Sequence, residues 1–261
     1  MRMRVVQMAS SFLVFVLMAS LAASGQTSTP SSSPSTSAPA TNSATPKPVD
    51  RRPSPPIDGW AGVFRYKDAN AKLPPPVPGE KRVVFYGDSI TEIWGHLPTF
   101  FPGKPYIGRG ISGQTTMSML IRFRADAIDL HPAVVVILAG TNDIAQNAGP
   151  ESMKLIEDDL RSMTELAISN HIVPILCSVL PTNDYPWRKG LQPGPKIVEL
   201  NQWIESYCRD QHLVFLNYYP AMVNDKQGMR DGLSGDGVHP SAAGYAIMAP
   251  MAEDAIKQAL P

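Results

Sequence analysis

Near the end of the chain, Asp236-Gly237-Val238-His239-Pro240 sets a carboxylate three residues before an imidazole. Far upstream, Gly87-Asp88-Ser89-Ile90 follows the apolar run Val83-Val84-Phe85-Tyr86. An alcohol nucleophile, an imidazole to take its proton and a carboxylate to orient that imidazole are the side chains acyl transfer requires. Asp236 and His239 can meet on their own loop; only folding brings either to Ser89. Each residue also has a plainer reading. Ser89-Ile90-Thr91-Glu92 matches a helix-capping box, with Glu92 three residues beyond the cap. Asp236 and His239 would both suit a surface turn.

Acyl transfer also needs donors for the oxygen that turns negative in the transition state. Gly110-Ile111-Ser112-Gly113-Gln114-Thr115-Thr116 is a glycine-containing loop entering a helical stretch, where a backbone N–H can face a ligand with no Cβ in the way. Gly140-Thr141-Asn142-Asp143 closes another apolar run, and the Asn142 amide is a neutral donor suited to such an oxygen. A plain turn at Gly113 and a helix cap or Asx-turn at Asn142 are the alternatives. The Gly-x-Ser-x-Gly elbow of the α/β-hydrolases is absent, because Thr91 stands where its second glycine would be.

The elements that must position these groups follow from the apolar pattern. Short β-branched runs at 82–86, 133–139, 172–180 and 213–216, with a weaker one at 106–107, lack apolar/polar alternation and predict strands buried on both faces. Helical spacing appears at 115–130, 151–170, 196–211 and 241–259, the last following Pro240 with Ser241 as its cap region. Strand and helix in alternation predict a doubly wound α/β sandwich on a mainly five-stranded parallel sheet. Ligands of such folds bind beyond the carboxyl ends of the strands. Ser89, Gly113, Asn142 and the Asp236/His239 loop all follow predicted strand ends, so they are expected on one rim.

The rest of the chain bounds the function. Arg2 and Arg4 precede an apolar stretch from Phe12 to Ala23, with Ala22, Ser24 and Gly25 at its exit. That pattern predicts a signal peptide over 1–25 and a secreted or periplasmic protein, without stable membrane insertion after cleavage; an uncleaved anchor is the alternative. Residues 26–56 are rich in Ser, Thr, Pro and Ala and have almost nothing to bury, which predicts a disordered linker. The folded domain is expected over 57–261, enough chain for one core. Net charge is zero and no basic stripe is present, so a nucleic-acid partner is not expected. No Cys/His cluster has metal-ligand spacing, and neither a metal nor another cofactor is expected. Cys177 lies in an apolar strand pattern and Cys208 in a helical one, which predicts two buried thiols; a disulfide between them, which export would permit, is the alternative. Nothing in the sequence specifies an oligomeric state.

Taken in order, Gly87-Asp88-Ser89-Ile90, Gly110-Ile111-Ser112-Gly113, Gly140-Thr141-Asn142-Asp143 and Asp236-Gly237-Val238-His239-Pro240 resemble the ordered blocks of the SGNH hydrolases, also called GDSL esterases and lipases. The likeness runs from about 81 to 250. It implies a flavodoxin-like three-layer α/β/α sandwich. It further implies Ser89 as nucleophile, His239 as base and Asp236 as its orienting partner. The Ser89 N–H, the Gly113 N–H and the Asn142 side chain are the implied oxyanion hole.

The substrate must be read from loops. Residues 183–195, with Tyr185, Trp187 and Arg188, follow a strand end and either line the pocket or form a rigid surface connection. Trp94 either walls the pocket or packs in the core. No long apolar lid is evident, so small acyl groups are expected, including acetyl groups on carbohydrates. A lysophospholipase or thioesterase on the same triad, and a non-catalytic surface module that binds glycans, are the competing readings.

Overall fold

The structure, a computed structural model, describes residues 61–260. The signal peptide expected at 1–25, the linker expected at 26–56 and the first residues of the expected domain lie outside the described residues.

Five parallel strands form the centre: β1 (Val83–Gly87), β2 (Tyr106–Gly110), β3 (Val134–Leu138), β4 (Val173–Cys177) and β5 (Val214–Leu216). They lie in the order β2-β1-β3-β4-β5, the flavodoxin-like arrangement whose direction reverses between β1 and β3. Register pairs Val83 with Tyr106 on one side and with Val134 on the other, so Gly87, Gly110 and Leu138 finish level at one edge.

Side chains alternate across this sheet as a pleated backbone requires. Val84, Tyr86, Val135 and Ile137 face one layer of helices, α3 (Thr116–Asp126), α5 (Met153–Ser169) and α6 (Gly194–Asp210), packing on Met119, Phe123, Leu160, Met163 and Leu200. Val83, Phe85, Val134 and Val136 face the other layer, α2 (Ser89–Gly95) and α8 (Ala242–Ala259), packing on Ile90, Trp94, Met248 and Ala252. With both faces covered, β1 and β3 have no exposed position, which is why their sequences are unbroken apolar runs. Trp94 belongs to this second core, stacked on Tyr245 and edge-on to Phe85. Cys177 and Cys208 are both buried and unpaired.

The weak strand expected at 106–107 extends to Gly110 at the sheet edge. The run expected as a strand over 172–180 stops at Cys177, and the helix expected over 115–130 stops at Asp126, followed by a 3-10 turn over Ile128–Leu130. Three short helices were not expected: α1 (Lys67–Lys72), α4 (Thr141–Ile144) and α7 (Tyr219–Met222). Each is a turn or two, too short for a periodic signal. Ser152 and Ser241 cap α5 and α8, their hydroxyls accepting from the Leu155 and Gly244 amides.

Candidate active site

β1 delivers Ser89. The strand ends at Gly87, the chain turns at Asp88, and Ser89 is the first residue of α2. The capping-box expectation is corrected here: Asp88 takes the cap, its Oδ1 accepting from the Ile90 N–H at 2.9 Å. Glu92 turns away to accept from both the Ser112 N–H at 2.7 Å and the Ser112 hydroxyl at 2.5 Å. Ser89 is thereby released from structural duty. Its hydroxyl sits 2.8 Å from His239 Nε2, at the dipole-positive start of a helix.

The loop before α8 holds the imidazole. His239 Nδ1 lies 2.6 Å from Asp236 Oδ2, which fixes the tautomer with the proton on Nδ1 and leaves Nε2 to accept from Ser89. Asp236 Oδ1 accepts the backbone N–H groups of Val238 and His239 at 2.9 and 2.8 Å. Burial pulls the Asp236 carboxyl upward, but the His239 ring and those two backbone donors outweigh it and hold the group well below the usual carboxylate range. Asp236 therefore stays ionised beside the imidazole.

The opposite side is built from the ends of β2 and β3. Gly110 has no room for a side chain, since a Cβ there would lie 2.1 Å from the Glu92 nitrogen and 2.5 Å from the Asp88 carbonyl oxygen. That closeness presses the β2 loop against the Ser89 turn. Gly113 sits in the left-handed region at φ 78°, which favours glycine, and faces the same cleft as Ser89. Asn142, 2% exposed, lies in α4 immediately past the end of β3. Its Nδ2 donates to the Gln114 carbonyl at 3.0 Å and, at a longer 3.3 Å, to Asp88 Oδ2. The next residue, Asp143, accepts from the Thr116 N–H and hydroxyl at 2.8 and 2.6 Å, pinning α4 to the start of α3.

Beneath these loops lies a buried cation that the sequence reading passed over. Arg122 is fully buried and donates to the Gly87 carbonyl at the end of β1 and the Arg109 carbonyl in β2, both at 2.9 Å, and to the Gln114 side chain. It pairs with Asp126 at 3.1 Å and lies over the Tyr86 ring at 4.2 Å. One guanidinium thus ties together the ends of the strands that carry Ser89 and Gly113. Ser118, Arg122 and Asp126 at helical spacing were its only trace in sequence, and such a stripe ordinarily marks a solvated face. Burial also pushes the Asp88 carboxyl up to about 6, against the Ile90 N–H and the nearby His239 and Arg122, which lower it.

Ser89, Ser112, Gly113, Asn142 and His239 line one cleft of about 400 Å³, completed by Ile93, Asn147 and Trp187. The 183–195 loop therefore contributes a wall: Trp187 is 45% exposed, tilted over His239 with ring centres 6.3 Å apart. Its neighbour Tyr185 is buried and hydrogen-bonded to Thr141. Asn147, missed in the sequence, accepts the Trp187 indole N–H at 3.0 Å. Among the described residues no group of three or more His, Cys, Asp or Glu is placed to hold a metal ion.

A five-stranded parallel sheet in this order, with a serine, an imidazole and a carboxylate in contact on its carboxyl rim, defines a class of α/β hydrolytic enzyme. The chain belongs to the GDSL-like lipase/acylhydrolase family, whose model matches residues 85–247, and it is a carboxylic ester hydrolase. A GDSL-like lipase of Bacteroides thetaiotaomicron is 46% identical, with 77% of this chain and 100% of that one covered and a TM-score of 0.75. A predicted acylhydrolase of Bacteroides fragilis is 43% identical over 77% of this chain and 99% of that one, also with a TM-score of 0.75. An acetylxylan esterase of Geobacillus stearothermophilus shares the fold at 22% identity, covering 68% of this chain and 94% of that one, with a TM-score of 0.54. No curated protein matches the sequence.

Proposed function

We propose that this ester hydrolase works through Ser89 as nucleophile, His239 as general base and Asp236 as the carboxylate that orients the base. The observation that carries the reading is the continuous contact from Ser89 Oγ through the imidazole to Asp236, at 2.8 and 2.6 Å. His239 Nε2 takes the hydroxyl proton as Oγ attacks the ester carbonyl, and the carbonyl π electrons move onto oxygen. The Ser89 and Gly113 N–H groups and the Asn142 amide receive that oxyanion. Asn142 donates to it through the N–H now on Asp88, the longer and weaker of its two bonds. The C–O bond to the alcohol then breaks, and the imidazolium returns its proton to the departing oxygen. Water repeats the sequence on the acyl-enzyme and frees the acid and Ser89.

The substrate we propose is an ester of a small acyl group, with O-acetyl groups on carbohydrates as the favoured class. Two features support it. The cleft is open and holds about 400 Å³, and the exposed face of Trp187 beside His239 suits a sugar ring on the leaving-alcohol side. Acetyl-ester hydrolysis also occurs on this fold in the Geobacillus enzyme. Export is proposed from the basic, apolar and small-residue pattern of the first 25 residues. An acyl-chain-length series of p-nitrophenyl esters, run beside acetylated xylan and lysophosphatidylcholine, tests the substrate. Acetate should be cleaved best and acetylated xylan deacetylated. Preference for octanoate with no release of acetate from xylan would overturn the substrate class and favour a lysophospholipase or thioesterase.

A further inference from the structure

Asn142 has an amide whose two ends look alike in shape and differ only in chemistry, so its usefulness as a donor depends on which end faces the cleft. The nitrogen is set against two acceptors, the Gln114 carbonyl and Asp88 Oδ2. What holds the oxygen end is Asn147. Its Nδ2 donates to Asn142 Oδ1 at 2.6 Å, and its backbone N–H donates to the Asn142 carbonyl at 3.0 Å. The chain reaches that double tether through Gln146, which adopts a left-handed φ of 57°. The remaining end of the Asn147 amide is also occupied, because its Oδ1 accepts the indole N–H of Trp187 at 3.0 Å. Indole N–H can only donate, so the Trp187 contact decides which end of Asn147 is oxygen, and Asn147 then holds Asn142 in the orientation that the Gln114 carbonyl also demands. Asn147 is exposed and touches no reacting atom, and the cleft it lines contains both Ser89 and Trp187.

We propose that Asn147 is a positioning residue: it relays the polarity of the Trp187 indole to the Asn142 amide, so that the wall of the cleft and the oxyanion donor are set by one chain of hydrogen bonds. The inference rests on the proposed role of Asn142. Seating a substrate against Trp187 would hold the same chain in place, which links binding on the leaving-alcohol side to stabilisation of the oxyanion.

The test is a double-mutant cycle on p-nitrophenyl acetate hydrolysis. Asn142→Ala alone should lower kcat by roughly 10²–10³. If it does not, the oxyanion assignment itself fails. With that loss in place, Asn147→Ala in the otherwise wild-type enzyme should lower kcat about tenfold, the order of one neutral side-chain hydrogen bond, with KM changed less than about twofold. In the Asn142→Ala background the same substitution should change kcat less than about twofold, because nothing remains to be positioned. Equal losses in both backgrounds, or no loss in wild type, would overturn the proposal. Trp187→Phe reaches the relay from its other end without altering the Asn147 turn. It should lower kcat a few-fold in wild type but less than about twofold in Asn147→Ala, with KM rising by the same factor in both backgrounds because Trp187 also walls the cleft; an equal loss of kcat in both backgrounds would contradict the relay.

Discussion

Asp236 and His239 sit on an exposed loop whose bonds are drawn almost wholly from residues 234–239, whereas Asn142 is buried and held by Asp88, Gln114 and Asn147 from three other places in the chain. In the proposed mechanism both sides serve the same serine. An imidazole needs only a carboxylate within reach to fix its tautomer, and a turn supplies that over four residues. A donor for a transient oxyanion must instead be preorganised away from water, and that takes support from distant strands. Arg122 is the extreme case, a full charge buried so that carbonyl groups at the ends of two strands hold their places. The contrast teaches that the proposed acid–base side of the site is held by its own loop, while the proposed oxyanion side is held by distant parts of the fold.

Crossed substitutions break or sharpen that contrast. Removing the shared serine, Ser89→Ala, should lower kcat by an amount on the order of 10⁶ with folding unchanged, measured on p-nitrophenyl acetate. Asp236→Asn should lower kcat by about 10⁴ through loss of the correct imidazole tautomer. An Asn oxygen still accepts the loop N–H groups but lacks the charge that the imidazole and those donors favour, so unfolding in urea should shift by about 1–2 kcal/mol, the partly exposed site weakening the effect. Arg122→Met should do the reverse. Leaving Asp126 buried without its partner should cost about 3–5 kcal/mol of stability, with kcat of the folded fraction reduced far less than in Asp236→Asn. Equal stability losses in these two variants would erase the distinction.

The last contrast concerns pH. The folded protein raises Asp88 from an ordinary 3.8 to about 6, so it holds a proton there that the unfolded chain has released. The contribution of Asp88 to stability is therefore full below about 4 and declines as the pH rises through 6. Asp88→Asn retains a good helix cap and removes this titration, so its unfolding midpoint should vary less between pH 4 and 7 than that of wild type. Parallel profiles would contradict the burial argument.

The same contrast explains what was legible in the sequence. The sheet and its four main helices were readable because full burial writes itself as apolar runs and helical spacing. Asp236 and His239 announce themselves through their spacing. Ser89, Gly113 and Asn142 were legible as residues at strand ends, although the capping pattern at Ser89–Glu92 pointed to a cap role for Ser89 that the structure gives to Asp88, while Glu92 turns to Ser112. Arg122 left only an ambiguous stripe and Asn147 no readable mark. A buried arginine looks like any charge on a helix until the strands around it are in place. Asn147 acquires meaning only when Trp187, from a loop far along the chain, arrives beside it.

Covalent labelling with a fluorophosphonate tests the central claim most directly, since the probe reacts with a serine only when a base has activated it. Wild-type protein should be modified stoichiometrically at Ser89, with labelling lost in His239→Ala. A folded wild-type protein that cleaves esters yet takes up no probe at Ser89, or labels equally without His239, would contradict the account.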